Sequence, residues 1–147
     1  MTVTPLNQDD TIRALAVSQE ITYSEAQDEI SSGNYEVLTE EEAYARASDY
    51  IQDTLWAFNQ GFVERHSDVA YAIPNHIWKE MASQMCEDFN DVVRAMIEAE
   101  SDLETFINDA ISTDGLGHFL NSYDGSYEDS DDLACNLDNT YIIIRVN

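Results

Sequence analysis

The sequence predicts a mainly helical domain of the α+β class, closed by a small C-terminal β-hairpin. Three observations carry that prediction. Apolar residues recur at three- and four-residue spacing through most of the chain, and Ser/Thr-x-x-Glu signatures open several of these segments. Only the C-terminal segment turns β-branched and aromatic. With 147 residues, 44% of them hydrophobic, one domain can bury about two-thirds of its unfolded surface. Residues 1–147 are therefore read as a single acidic domain, with 1–33 a small helical hairpin packed on the rest.

The elements follow in order. Ile12, Leu15 and Ala16 at helical spacing predict a first helix over 9–19. Thr22 and Glu25 form a capping box for a second, and Gly33 closes it as a C-terminal cap. Asn34 to Leu38 reads as a brief extended link. Thr39 with Glu42 is a second capping box, and Glu40, Glu41 and Glu42 sit where a helix N-terminus favours negative charge. The stripe Ala43, Ala47, Tyr50, Ile51, Thr54, Leu55 and Phe58 extends that helix to about Asn59, where Gly61 ends or bends it.

Residues 66–72 read as irregular. Pro74 suits the first turn of a further helix, whose core face of Ile77, Trp78, Met81, Met85, Phe89, Val92, Val93, Met96 and Ile97 runs to about Glu98. Ser101 with Glu104 is a third capping box, opening a short helix with Leu103, Phe106, Ile107, Ala110 and Ile111 inward. Residues 113–118 are glycine-punctuated, and Asp124-Gly125 marks a turn. The hairpin is expected from 133–137 and 140–146 flanking Asp138-Asn139.

Charge limits the functions open to this chain. Thirty acids against six bases give a net charge of -24, yet the aromatic content of 10% is too high for a disordered acidic tail. Direct nucleic-acid binding is excluded because phosphate contacts need Lys and Arg, and Lys79 and the arginines 13, 46, 65, 94 and 145 are scattered. An anionic membrane surface is disfavoured for the same reason. No apolar run reaches the roughly 20 residues of a membrane span, and the N-terminus shows no secretory signal, which together predict a cytoplasmic protein. Cys86 and Cys135 have no metal-binding spacing and read as reduced, small buried hydrophobes.

The passage Asp114-Gly-Leu-Gly-His-Phe-Leu-Asn-Ser-Tyr-Asp-Gly125, with the acidic stretch and Tyr-Ile-Ile-Ile-Arg-Val-Asn after it, resembles a tail that recurs in small acidic bacteriophage proteins. Residues 35–43 and 50–59 look like the middle part of the same group, so the resemblance spans roughly 35–147. Leu116 stands where that group's arginine is expected, and this position is not read as an anion contact. The resemblance implies a phage origin and brings no activity with it.

Enzymatic readings find little support. There is no Gly-x-Ser-x-Gly elbow, no glycine loop with lysine to hold phosphate, and no His-Glu-x-x-His pattern among His66, His76 and His118. His118 is expected to be a hydrogen-bonded structural residue that fixes its turn. The acid-rich stretch 124–132 departs from the EF-hand order, since its glycine comes second and no glutamate closes it. No metal or cofactor is implied.

The acid run from Glu80 to Asp132 carries more. Arg94 is its only base, and Glu80, Glu87, Asp91 and Glu98 are expected to line one helical side away from Trp78, Met81, Met85 and Val92. A surface made acidic only for solubility mixes both signs, and this one barely does. The sequence therefore predicts a phage-encoded, non-enzymatic inhibitor that imitates nucleic acid. It would act in the host cytoplasm on a basic nucleic-acid-binding defence complex, either a CRISPR effector or a restriction enzyme. The expected contacts are Glu87, Asp88, Asp91, Glu98, Asp102, Asp129, Asp131 and Asp132, with Tyr123 and Tyr127 as aromatic anchors. The alternative is a homodimeric structural or accessory phage protein whose acidity serves solubility.

Overall fold

The computed structural model describes residues 8–130 and 140–146. Among these the fold is mainly helical with a small three-stranded antiparallel sheet. Two compact units divide the chain within its third helix, one drawn from 8–47, 115–130 and 140–146, the other from Ser48–Asp114.

The first unit holds α1 (Gln8–Gln19), α2 (Tyr23–Ser31), β1 (Tyr35–Thr39) and the start of α3 (Glu40–Asp53). Both capping boxes form as the sequence predicts: Glu25 N–H donates to Thr22 Oγ1 at 3.1 Å and Glu42 N–H to Thr39 Oγ1 at 3.1 Å, each with the reciprocal bond. Gly33, at φ +77°, turns the chain out of α2, a conformation that costs glycine little.

The supposed link at 34–38 is an edge strand. Its partner β3 (Tyr141–Arg145) is the central strand, flanked on its other side by β2 (Glu128–Asp129). Val37 faces Ile143 and Leu38 faces Ile142 across the antiparallel register. Alternate side chains of β3 serve opposite faces. Tyr141 and Ile143 pack with Ile12, Leu15, Ala26 and Val37, so the α1–α2 pair covers one face. Ile142 and Ile144 pack with Leu38 and Ala43, with Leu116 and Leu120 of a short helix α9 (Leu116–Leu120) against them. Burial on both faces explains the unbroken apolar run. The first arm of the expected hairpin and its Asp138-Asn139 turn lie outside the described residues.

The second unit continues from α3 through a 3-10 turn at Leu55–Ala57, α4 (Gln60–Glu64), α5 (Asp68–Ala72), α6 (Asn75–Met85), a 3-10 turn at Cys86–Asp88, α7 (Phe89–Glu98) and α8 (Leu103–Asp114). Its core includes Ile51, Leu55, Val63, Trp78, Phe89, Val93, Ile97 and Phe106.

Several expectations need correction here. The helix from Glu40 stops at Asp53 rather than about Asn59, because Asn90 intercepts it. Its Nδ2 donates to the Gln52 carbonyl at 2.8 Å while its Oδ1 accepts from Trp56 N–H at 2.8 Å. Those are the two groups an i,i+4 helical bond would have joined. Tyr50, placed on the buried stripe, is 52% exposed. Residues 68–72 are helical rather than irregular, capped by Ser67, whose Oγ accepts from Ala70 N–H at 3.2 Å.

The long helix over 74–98 is broken at Cys86, which has φ +48°. The break lets Trp78 and Phe89 meet edge to face with centroids 5.1 Å apart. On one continuous helix, eleven residues would separate them by about 16 Å. Cys86 is exposed instead of buried, and Ile77 and Met85, predicted in the core, are 38% and 36% exposed. Cys135 lies outside the described residues.

Candidate functional site

The acidic surface is built differently in the two units. In Ser48–Asp114 there are 14 acids against 3 bases. Arg65 is committed to Asp109, Nη2 to Oδ1 at 3.0 Å, and Arg94 donates to Gln52 Oε1 at 3.3 Å. Lys79 lies apart from the acidic row, lining a cavity of about 540 Å³ with Trp56, Phe58 and Trp78.

The turn at Cys86–Asp88 runs directly into α7, so Glu87, Asp88, Asp91 and Glu98 belong to one continuous segment. At about 100° per residue from Phe89 they fall between roughly 160° and 260°, opposite buried Phe89, Val93, Met96 and Ile97. All four are exposed and form no ion pair or side-chain hydrogen bond with another described residue. Glu80 does not continue this row as the sequence predicted: it sits on α6, beyond the break at Cys86.

Asp102 has a structural task. It caps α8, accepting from Thr105 N–H at 2.7 Å and Thr105 Oγ1 at 2.8 Å, and these bonds hold its carboxyl below the usual range. The expected Ser101–Glu104 capping box is therefore shifted by one residue. Glu100 is similarly used. Desolvation opposes its ionisation, but donation from Asp68 N–H at 2.6 Å and Val69 N–H at 3.4 Å outweighs it and lowers its pKa.

A half-buried cluster joins α8 to the end of α4. His66 Nε2 lies 2.6 Å from Asp109 Oδ2, and the imidazole stacks edge-on against Phe106 at 5.1 Å. Desolvation pushes the Asp109 carboxyl up, and the His66 hydrogen bond with the Arg65 charge pulls it down further, for a net lowering.

The first unit holds the remaining predicted contacts among the described residues. Tyr123 and Tyr127 are 55% and 41% exposed and Asp129 is half-buried on β2. Tyr123 already carries a cation, with the Arg145 guanidinium 5.5 Å from its ring centre. Asp131 and Asp132 lie outside the described residues. Arg13 and Arg46 pair locally with Asp9 and Glu36.

The expected role of His118 is corrected: it is exposed on α9, its ring against Phe119, and its side chain makes no hydrogen bond to another described residue. Buried Asn121 fixes the turn instead. Its Nδ2 donates to Asp124 Oδ1 at 2.7 Å and the Ser126 carbonyl at 2.8 Å, while its Oδ1 accepts from Tyr123 N–H at 2.9 Å. Asp124 accepts from Ser126 N–H at 3.0 Å and Oγ at 2.9 Å, which with the nearby Arg145 charge lowers its pKa.

No family model matches the chain, and no curated protein or solved structure is significantly similar to it. Among the described residues, no helix is long and apolar enough to cross a membrane.

The residues that sequence reasoning missed are Asn90, Asn121 and an apolar groove beside the acidic row. Val69, Val92, Ala95, Met96, Ala99 and Asp91 line this groove of about 500 Å³ between α5 and α7. The Asn-x-x-Asp-Gly spacing of 121–125 was a readable turn signal. The roles of Asn90 and Val69 depend on contacts distant in sequence, which no local pattern carries.

Proposed function

We propose that this is a phage-encoded, non-enzymatic inhibitor that acts in the host cytoplasm by imitating nucleic acid toward a basic defence complex, a CRISPR effector or a restriction enzyme. One observation carries the reading: Glu87, Asp88, Asp91 and Glu98 form an outward row, and Arg94, the one base in that segment, at the row's margin, donates to Gln52 Oε1. From Glu87 to Glu98 the helical rise is roughly 16 Å, so the four charges lie about 5.5 Å apart on average, with the widest interval, about 10 Å, between Asp91 and Glu98. One strand of B-DNA presents a charge about every 3.4 Å, so the row is a sparser line of charge on the same length scale. The summed field of -24 steers a basic partner to this face, and added salt weakens that steering.

The test is DNA cleavage by purified restriction enzymes and CRISPR effectors with the protein as competitor. Glu87→Gln alone is expected to be nearly silent, because exposed charges contribute little singly. Combined Asp88→Asn, Asp91→Asn and Glu98→Gln is expected to abolish most inhibition while circular dichroism stays native. Equal inhibition by the neutralised variant, or simultaneous binding of DNA and this protein, rules mimicry out.

A second reading, a homodimeric structural or accessory protein, draws on the exposure of Ile77 and Met85 along α6. Sedimentation as a dimer that Ile77→Lys dissociates would favour it.

A further inference from the structure

The groove between α5 and α7 calls for a chemistry that charge mimicry does not. Its lining is aliphatic apart from Asp91: Val69 and Val92, then Ala95, Met96 and Ala99 along α7. Val69 is 50% exposed, an aliphatic side chain left in water. The two alanines, one helical turn apart, keep the floor low enough for another backbone to approach closely.

The rim is acidic on both sides. Asp91 and Glu98 lie along the α7 edge, with Glu87 and Asp88 at its start. At the α5 edge the Glu100 carboxylate sits against the N–H groups of Asp68 and Val69. No lining residue is basic.

We infer that this groove docks a basic amphipathic helix of a partner protein, with its apolar stripe over Val69, Val92, Ala95 and Ala99 and its flanking Lys and Arg on the acidic rim. Charge complementarity selects this occupant. A second copy of the chain would bring the same carboxylates face to face, a juxtaposition that costs several kcal/mol at an interface. The inference goes beyond the acidic row: it requires apolar contact and holds whether or not that row imitates nucleic acid.

The probe is a synthetic helical peptide with Leu at i, i+3, i+4 and i+7 and Lys and Arg beside them. A scrambled peptide of identical composition is the control, and fluorescence anisotropy is read at about 0.15 M and about 0.5 M salt. The ordered peptide is expected to bind about tenfold tighter than the scramble and to keep that advantage at high salt, because apolar burial is not screened. Ala95→Gln fills the groove without changing charge, at an exposed helical site where Gln is well tolerated. It is expected to remove the advantage and leave circular dichroism unchanged.

Equal binding of the two peptides overturns the inference, as does full affinity in Ala95→Gln. A dimer of the free protein that Ala95→Gln dissociates overturns it too, since the groove would then be a self-interface. DNA competition for a defence complex is measured separately, so the groove and the mimicry reading can fail independently.

Discussion

Gly117 lies so close to Gly125 that a Cβ built on it would sit 2.4 Å from the Gly125 carbonyl oxygen. That contact is backbone, so no side chain can swing aside to make room. It gives the Gly-Leu-Gly-His-Phe-Leu-Asn-Ser-Tyr-Asp-Gly passage a structural meaning: α9 is pressed onto the turn that Asn121 and Asp124 hold. Gly117→Ala is expected to destabilise the protein by about 2–3 kcal/mol through overpacking. Gly115→Ala, at φ +91° and ψ 147° with nothing within 4 Å, meets no clash, but that backbone conformation is nearly confined to glycine, so it is expected to cost about 1–3 kcal/mol from strain alone. Urea denaturation checks the loss in each variant, and an unchanged midpoint in Gly117→Ala would remove the role assigned to the Gly117–Gly125 contact.

Asn90 offers a second test. Its amide satisfies the Gln52 carbonyl and the Trp56 N–H, groups left unpaired where α3 stops. Asn90→Ala is expected to cost about 2–3 kcal/mol, because two backbone groups lose their partners in a half-buried setting. Trp56 sits at the break, so tryptophan emission of the native variant should also shift. Unchanged stability would mean that water replaces the amide there.

These two contacts show which parts of the fold could be read in the sequence. Thr22 with Glu25 and Thr39 with Glu42 are local pairs within one turn, and both helix starts followed from them. Tyr141–Ile144 reads as extended because β-branched residues favour strands, but its partnership with Tyr35–Thr39 spans about a hundred residues and leaves no local trace. Apolar periodicity continues through Thr54 and Cys86 and predicts unbroken helices there. The Asn90 bonds and the Trp78–Phe89 contact that accompany these breaks are both tertiary. The acidic row survived those breaks from Glu87 to Glu98 because it lies within one segment. Glu80 and Asp102 were lost from it, one to the break and one to helix capping.

The Tyr141 hydroxyl is buried and has no hydrogen-bond partner among the described residues, in the core formed with Ile12, Leu15 and Ala26. Burying such a group unpaired costs about 1–3 kcal/mol. Tyr141→Phe keeps the ring and removes the orphan, so it is expected to be neutral or to raise the melting temperature. A loss of stability would reveal a bound water that the hydroxyl holds.

Salt should stabilise the native state. A net charge of -24 in 147 residues repels itself, and local pairs such as Arg13–Asp9 and Arg46–Glu36 relieve little of it at exposed positions. Thermal stability is expected to rise between about 0.01 M and 0.15 M salt, over which the screening length falls from about 30 Å to about 8 Å. A flat response would mean that the charges are dispersed too widely to feel one another.

Acid should act in the opposite direction at Asp109. Its folded pKa is lowered by His66 and Arg65, so its contribution to stability is present above the ordinary aspartate value of 3.8 and is lost as pH falls through the lowered folded value. Protonating the many other carboxylates meanwhile relieves repulsion, so the wild-type curve alone mixes two effects of opposite sign. The difference between wild type and Asp109→Asn separates them, since both proteins share the general relief. Wild type is expected to be the more stable near neutral pH, and its advantage to shrink steadily as the pH drops below about 4. High salt should preserve most of that difference, because the 2.6 Å contact to His66 is half-buried and only partly screened. If the two proteins keep a constant difference from neutral to acid, the Asp109 carboxylate is not held by its His66 and Arg65 contacts, and α8 must be anchored by its apolar face alone.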